Sequence, residues 1–239
     1  SGGLVGSEMC IRDRNDTDQF EAASFGSLTG VTVSDETLDG SKLADAIDQA
    51  NLATEDTSVV FTISDAVTIE GSEANFTALL TDDDNSQIDI DTQNLSVSGT
   101  ISVENANLLD VATEGTITAS IDTDETVETL KTLTGTTHEY TIVIAAGDAE
   151  TSTAADLNTI NEKTSEAVSL TNVTALAASS VSDLETLASD IDANEFSDAT
   201  GLTTIAVSGA TIEANELAGI IDSFDSINGN STTAVSYTH

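Results

Sequence analysis

The chain has 239 residues, in which 43 Asp and Glu face only 5 Lys and Arg, for a net charge of -38 at neutral pH. This balance excludes nucleic acid as a partner, because phosphate binding needs clustered basic residues. The hydrophobic fraction of 38% is too high for a disordered acidic tail. No apolar run approaches the roughly 18 residues of a membrane span, so we expect no membrane insertion.

Both ends of the chain read as translated sequencing adapter. Residues 4–14 spell LVGSEMCIRDR and residues 235–239 spell VSYTH, the in-frame translations of a common transposase adapter and of its reverse complement. We therefore expect residues 1–14 and 234–239 to be non-native tails, and residues 15–233 to be an internal fragment of a longer protein. The only Cys lies in the first tail, so the expected native segment has no thiol chemistry.

Between the tails, a degenerate unit recurs with starts about 21 to 34 residues apart. Each copy begins with alternating β-type residues, passes a turn and ends in a short amphipathic segment. The copies span residues 31–47, 61–80, 95–111, 116–133, 141–160, 170–188 and 202–221.

The start of each unit predicts a strand, because β-branched and apolar residues alternate there. The end of several units predicts a helix, because apolar residues recur at a spacing of three and four. The alternating pairs are Val31/Val33, Phe61/Ile63, Leu95/Val97, Ile142/Ile144 and Ile205/Val207, and the helical faces are Leu43/Ile47, Leu157/Ile160 and Leu217/Ile220/Ile221/Phe224. Thr153 with Asp156, and Ser180 with Asp183, resemble capping boxes that open two of these helices.

These elements predict an α/β repeat: an elongated solenoid of short parallel strands, with a short helix in most repeats. Stacked neighbours would cover an apolar face that one unit cannot bury alone, and Val33, Ile63, Val97, Ile144 and Val207 should be buried in line. The alternative is a series of all-β sandwich modules, since the short β-runs contain no Pro.

Three segments carry a resemblance to known proteins: STAADLNTI at 152–160, VSDLETLAS at 181–189 and TTIAVSGATIEANELAGII at 203–221. They resemble the strand-plus-helix units of giant repetitive cell-surface proteins from marine cyanobacteria and related bacteria. The resemblance implies an exported protein displayed outside the cell, in surface layers, adhesion or motility. It implies no catalytic residue, and partners that are either a surface ligand or neighbouring repeats of the parent chain.

Acidic clusters are the one chemical theme of the sequence. Their closely spaced hard oxygen ligands suit Ca²⁺, so we expect candidate metal ligands at Asp82, Asp83, Asp84, Asp89, Asp91, Asp122, Asp124 and Glu125. None of these clusters matches an EF-hand loop, and with so many acidic residues the alternative is a set of solvated charged faces.

An enzyme is not expected. His138 is the only histidine outside the tails, and we expect it to be a surface residue that opens the strand of Tyr140 and Ile142. A Ser-His-Asp triad would have to use this histidine, and nothing places a nucleophile beside it. Paired carboxylates could serve a polysaccharide-active enzyme, but aromatic residues to line a cleft make up only 3% of the chain.

The sequence therefore predicts a structural spacer segment of a large secreted or surface-displayed protein. The alternative in a different class is an adhesin module that needs calcium to become ordered.

Overall fold

The computed structural model describes residues 8–11, 30–33, 37–54, 59–63, 67–135, 137–148, 150–209, 212–228 and 233–237. Within this part, the chain forms a mixed α/β structure of thirteen short strands and seven α-helices, with no closed barrel. It divides into two units: unit 1 comprises Ser1–Ile101 with Asn107–Ala119, and unit 2 comprises Ser102–Ala106 with Ser120–His239.

Unit 1 alternates pairs of short strands with helices. Its elements are β1 (Glu8–Ile11), β2 (Gly30–Val33), β3 (Thr37–Asp39), α1 (Gly40–Thr54), β4 (Val60–Ile63), β5 (Thr68–Ser72), α2 (Glu73–Asp84) and β6 (Asn94–Ile101), followed by α3 (Val103–Ala112) and β7 (Ile117–Ile121), which the unit boundary crosses. Strands β1, β2 and β4 form one sheet, and β3, β5, β6 and β7 lie side by side in another.

Unit 2 also alternates strands with helices. It contains α4 (Val127–Leu130), β8 (Glu139–Thr141), α5 (Ala154–Asn161), β9 (Val168–Ser169), β10 (Ala175–Ser179), α6 (Val181–Asp192), β11 (Phe196–Ser197), a 3-10 turn (Ala199–Gly201), β12 (Thr204–Ser208), α7 (Ala214–Asn228) and β13 (Thr233–Tyr237). Strands β10, β12 and β13 form one sheet in that order, and β9 pairs with β11.

Parallel pairing is the common feature of both units. The pairs β1–β2, β2–β4, β3–β5, β5–β6, β9–β11, β10–β12 and β12–β13 are all parallel. Parallel neighbours need a crossover connection, and a helix lies in it for every pair except β1–β2, whose connection lies outside the described residues. The prediction of parallel strands joined by helices is confirmed, and the all-β sandwich alternative is wrong.

A rung is one helix with the strand or strands that precede it. Four rungs carry two strands rather than one, namely those that end in α1, α2, α6 and α7, whereas α3, α4 and α5 each follow a single strand. Val31 pairs with Phe61 and Val33 with Ile63, as the repeat alignment predicts. Val97, however, lies opposite Gly71 of β5, in the second sheet. The prediction of one buried line was therefore wrong, because successive strands of a rung alternate between two sheets. Ile63 is also only half-buried, whereas Val33, Val97, Ile144 and Val207 are buried.

The predicted helical faces are buried against the strands. Leu43, Ile47, Leu157, Ile160, Ile220 and Phe224 are all buried, and Leu217 and Ile221 are half-buried. Thr153 and Asp156 form the predicted capping box at α5, in which each side chain bonds the other residue's backbone N–H. Ser180 caps α6 through the Asp183 N–H, and Ser72 with Asn75 forms a further capping box at α2.

Two helices end in the same tight turn. After α2, Ser86 adopts a φ of 59°, and the Gln87 N–H donates to the Asp82 carbonyl at 2.9 Å. After α6, Asn194 adopts a φ of 63°, and the Glu195 N–H donates to the Asp190 carbonyl at 2.9 Å. Both turns are Schellman motifs with a left-handed residue where Gly is usual, and each returns the chain to the next rung.

The end segments form edge strands where they are described. Residues 8–11 pair with β2, and residues 233–237 pair with β12. The remaining residues of the expected tails lie outside the described part, and their non-native origin stays a prediction. Among the described helices, none combines the length and apolar character that a bilayer crossing requires.

Candidate metal centre

The candidate site is the turn that follows α2 in unit 1. The Schellman turn at Ser86 reverses the chain, and Ile88 and Ile90 then enter the core. Because alternate side chains of an extended segment point in opposite directions, Asp89 and Asp91 face solvent. The reversal places both carboxylates near Asp83, in the last turn of the helix.

Asp83, Asp89 and Asp91 form an acidic triad whose carboxylate oxygens lie within 4.8 Å of one another. The Ile90 N–H donates to Asp83 Oδ1 at 3.3 Å, and the Asp91 N–H donates to Asp89 Oδ1 at 3.0 Å. These backbone bonds hold two of the three carboxylates in place, and leave oxygen lone pairs for a further ligand.

The electrostatics of the triad favour a cation. Burial raises the pKa of Asp83, and the charges of Asp91, Asp89 and Asp84 raise it further, against the opposing effect of the Ile90 N–H. Three carboxylates this close repel one another when all are ionised. A bound cation would remove this repulsion, so the triad could hold a metal ion.

A neighbouring cavity extends the acidic character of this region. Asp91, Asp110 and Glu114 line it together with Thr113, and its volume is about 210 Å³. The Glu114 N–H donates to the Asp91 carbonyl at 2.6 Å, so the turn after α3 lies directly on the turn that carries the triad. Sequence reasoning missed Asp110 and Glu114. Glu114 follows α3 as Asp89 and Asp91 follow α2, and this equivalence is the signal that could have found it.

The other predicted ligands lie apart from the triad. Asp84 is exposed at the end of α2, and Asp82 is half-buried beside Asp48 of α1. Burial, followed by the Asp48 charge, raises the pKa of Asp82 to about 6. Within the described residues, the group of three metal-capable side chains is Asp83, Asp89 and Asp91.

Asp122, Asp124 and Glu125 follow β7 in unit 2. Glu125 Oε1 accepts the Val103 N–H at 3.0 Å, so this carboxylate caps the start of α3. The Glu125 N–H donates to the Asp122 carbonyl at 3.2 Å, which makes the segment a turn. The structure therefore gives Glu125 a structural partner, and does not gather this cluster into a metal-capable group among the described residues.

His138 is buried, with 3% of its surface exposed, so the prediction of a surface residue was wrong. Its ring centroid lies 5.3 Å from that of Tyr140, and its carbonyl accepts the Ser165 N–H at 2.9 Å. Packing of the two rings accompanies this burial.

No protein family, curated protein or solved structure matches this chain.

Proposed function

We propose that this chain is a structural spacer segment of a large secreted or surface-displayed protein, of the kind used in surface layers, adhesion or motility. The observation that supports the proposal is the recurrence of one rung-to-rung connection in both units. Two rungs in each unit pass through two strands and a helix, and both strands of one pair in parallel with the two strands of the other.

Polar bonds between successive rungs recur at equivalent positions. In unit 1, Gln87 Nε2 donates to Asn51 Oδ1 at 2.7 Å; in unit 2, Asn161 Nδ2 donates to Glu195 Oε2 at 2.6 Å. Each bond joins the end of one helix to the turn after the next helix. Such bonds fix the register of neighbouring rungs, and they need no ligand.

Buried threonines form a second recurring connection. Thr113 Oγ1 donates to the Gln93 carbonyl at 2.7 Å and accepts the Gly115 N–H at 2.9 Å. Thr164 Oγ1 donates to the Tyr140 carbonyl at 2.8 Å and accepts the Glu166 N–H at 3.1 Å. Each hydroxyl satisfies a donor and an acceptor at the same point of a rung, where buried polar groups need partners.

A solenoid is the arrangement that we propose for these rungs in the parent protein. Each rung buries its apolar side chains against its neighbours, so stability adds rung by rung and length can grow without a new core. The net charge of -38 keeps such a repetitive chain soluble and discourages association between chains. These are the properties that a spacer needs.

The test of the spacer function is recovery of the parent reading frame from long genomic reads. We expect further strand–strand–helix units at spacings of about 25 to 35 residues, the repeat length typical of solenoids, together with an export or anchoring signal. A parent protein in which this segment stands alone beside a catalytic domain, with no export signal, would reject the proposal.

The acidic triad supports a second candidate function, a calcium-ordered binding module. Ca²⁺ accepts irregular sets of six to eight oxygen ligands, whereas Mg²⁺ demands a near-ideal octahedron and keeps its water. Asp83, Asp89 and Asp91 supply three hard oxygen ligands of the kind that Ca²⁺ prefers.

Thermal melts in chelator, NaCl, MgCl₂ and CaCl₂ at matched ionic strength test this candidate. We expect CaCl₂ to raise the Tm above the MgCl₂ value, and Asp89→Asn or Asp91→Asn to abolish that difference. Asp122→Asn, which removes one charge outside the triad, serves as the matched control and should retain the difference. Identical curves in the two divalent salts would leave only charge screening.

A further inference from the structure

Strand β13 covers the outer edge of β12, and backbone hydrogen bonds are enough to hold it there. Residues 233–237 pair with Thr204–Ser208 over five consecutive positions, and the Thr233 N–H donates to the Thr203 carbonyl at 2.7 Å. Backbone pairing of this kind does not depend on side-chain identity. Residues 234–239 are moreover the segment that the sequence predicts to be non-native.

The covering strand occupies the position of a rung. Ala175 pairs with Thr204, and Thr204 pairs with Thr233, so both steps cover 29 residues. Strand β12 is also a central strand with Ile205 and Val207 fully buried. Without a neighbour, its outward N–H and C=O groups would lose their partners, at a cost that backbone pairing avoids.

We propose that the β12 edge is a strand-acceptor site, whose partner is a parallel β-strand from a further strand–strand–helix unit of the parent protein. This inference rests on the proposed spacer function and says how the array of rungs would lengthen. Each rung offers an open parallel edge to the first free strand that reaches it. The ligand is thus an extended, uncharged segment with alternating apolar residues. In this chain, residues 233–237 occupy the site.

Parallel geometry identifies which backbone groups hold the occupant. The register and the Thr233 bond place the N–H groups of residues 233, 235 and 237 toward β12, and those of residues 234 and 236 away from it. Proline at 233 or 235 therefore removes a bond to β12. Proline at 236 removes an outward N–H, which an edge strand tolerates.

The experiment uses the full chain with Thr233→Pro, Val235→Pro or Ser236→Pro. The probe is a fluorescent peptide copying residues 203–209, TTIAVSG, which carries no charged side chain and so avoids repulsion by the chain. Fluorescence anisotropy measures binding, and circular dichroism checks that each variant folds. We expect Thr233→Pro and Val235→Pro to bind the peptide at least tenfold more tightly than Ser236→Pro, because only they free the edge.

Two N-methylated peptides separate strand addition from nonspecific binding. One carries methyl groups on the nitrogens of residues 204 and 206, and the other on those of residues 205 and 207. An added strand pairs through alternate residues, so one peptide should lose binding and the other keep it.

Equal binding by the three folded variants, or equal binding of the two methylated peptides, would overturn the proposal. So would an absence of peptide binding in a folded Thr233→Pro variant. Each of these results leaves the spacer function standing, because that function depends on the content of the parent reading frame.

Discussion

Replacement of Asp82 by Asn should stabilise the protein at neutral pH. Burial, followed by the charge of Asp48, raises the pKa of Asp82 from 3.8 to about 6 in the folded chain. The folded protein therefore binds a proton at this carboxyl more readily than the unfolded protein does. The associated stability is fully present below about pH 3.8 and is lost as the pH rises through about 6.

The magnitude follows from the same shift. A difference between 3.8 and about 6, at about 1.4 kcal/mol for each unit of pKa, sets an upper limit of about 3 kcal/mol on the cost of ionised Asp82. Asp82 is half-buried and solvent screens its charge, so we expect on the order of 1 kcal/mol at pH 7. Asn removes the charge and keeps the side-chain volume.

Urea unfolding between pH 3.5 and 7.5 measures this effect. Asp82→Asn should raise the free energy of unfolding at pH 7, and the gain should shrink to nothing below about pH 4, where wild-type Asp82 is itself neutral. Asp84→Asn is the matched control, because it removes an exposed carboxylate from the same last turn of α2. It reports the general benefit of lowering the net charge and of relieving the helix dipole.

A double-mutant cycle isolates the Asp48 contribution. Asp48→Asn alone should give part of the increase in unfolding free energy that Asp82→Asn gives. The double variant should be less stable than the sum of the two single increases predicts, because a neutral Asp82 no longer repels residue 48. If Asp82→Asn and Asp84→Asn give the same gain at pH 7, neither burial nor the Asp48 charge acts on Asp82, and the reasoning is refuted.

Three further substitutions test the packing, the turns and the ion pairs of Lys131 with Glu128 and Asp156. Val207→Asp should lower the free energy of unfolding in urea by several kcal/mol, because it buries an unpaired charge. Val60→Asp, at a site 43% exposed, should cost far less, and equal losses would contradict the assigned core. Ser86→Gly should stabilise the protein by about 0.5 to 1 kcal/mol, because glycine adopts the φ of 59° found there without strain. Asn85→Gly, at a φ of -82°, should destabilise it, and the reverse order would reject the left-handed turn. Lys131→Met should cost about 0.5 to 1 kcal/mol at pH 7, because Lys131 Nζ donates to both Glu128 and Asp156 at 2.7 Å but solvent screens these pairs; Lys163→Met is its charge-matched control. Burial alone would raise the pKa of Asp156, but its bonds from Lys131 and Thr153 lower it overall. This stabilisation therefore exists above about pH 3.8 and disappears as the pH falls through the lowered folded-state pKa, and a Lys131→Met cost that does not decrease on acidification would contradict it.

Local chemistry was enough to place most elements from the sequence. Alternation at Val31/Val33 and Ile205/Val207 marks strands, and the spacing of Leu157 and Ile160 marks a helix, because these patterns depend on the geometry of a few neighbouring residues. The capping box of Thr153 and Asp156 is equally local. The parallel arrangement also followed from the sequence, since strand–helix alternation leaves few other connections.

The pairing of strands was decided by tertiary structure. The repeat alignment matched Leu95 with Phe61, whereas the fold pairs Leu95 with Ile69, because the preceding rung carries two strands, β4 and β5, and β6 joins the second of them. A pattern of alternating residues identifies a strand but not which of two sheets it joins. His138 shows the same limit. Its position beside a strand predicted neither its burial nor its ring contact with Tyr140.

The candidate site shows the division most clearly. The sequence determined that carboxylates crowd at residues 82–84 and again at 89 and 91, and tertiary structure selected Asp83, Asp89 and Asp91 from them. The selection depends on the left-handed turn at Ser86, a conformation for which serine gives little sequence signal. That turn decides which carboxylate of α2 faces the returning chain, because a shift of one residue along a helix rotates its side chain by about 100°.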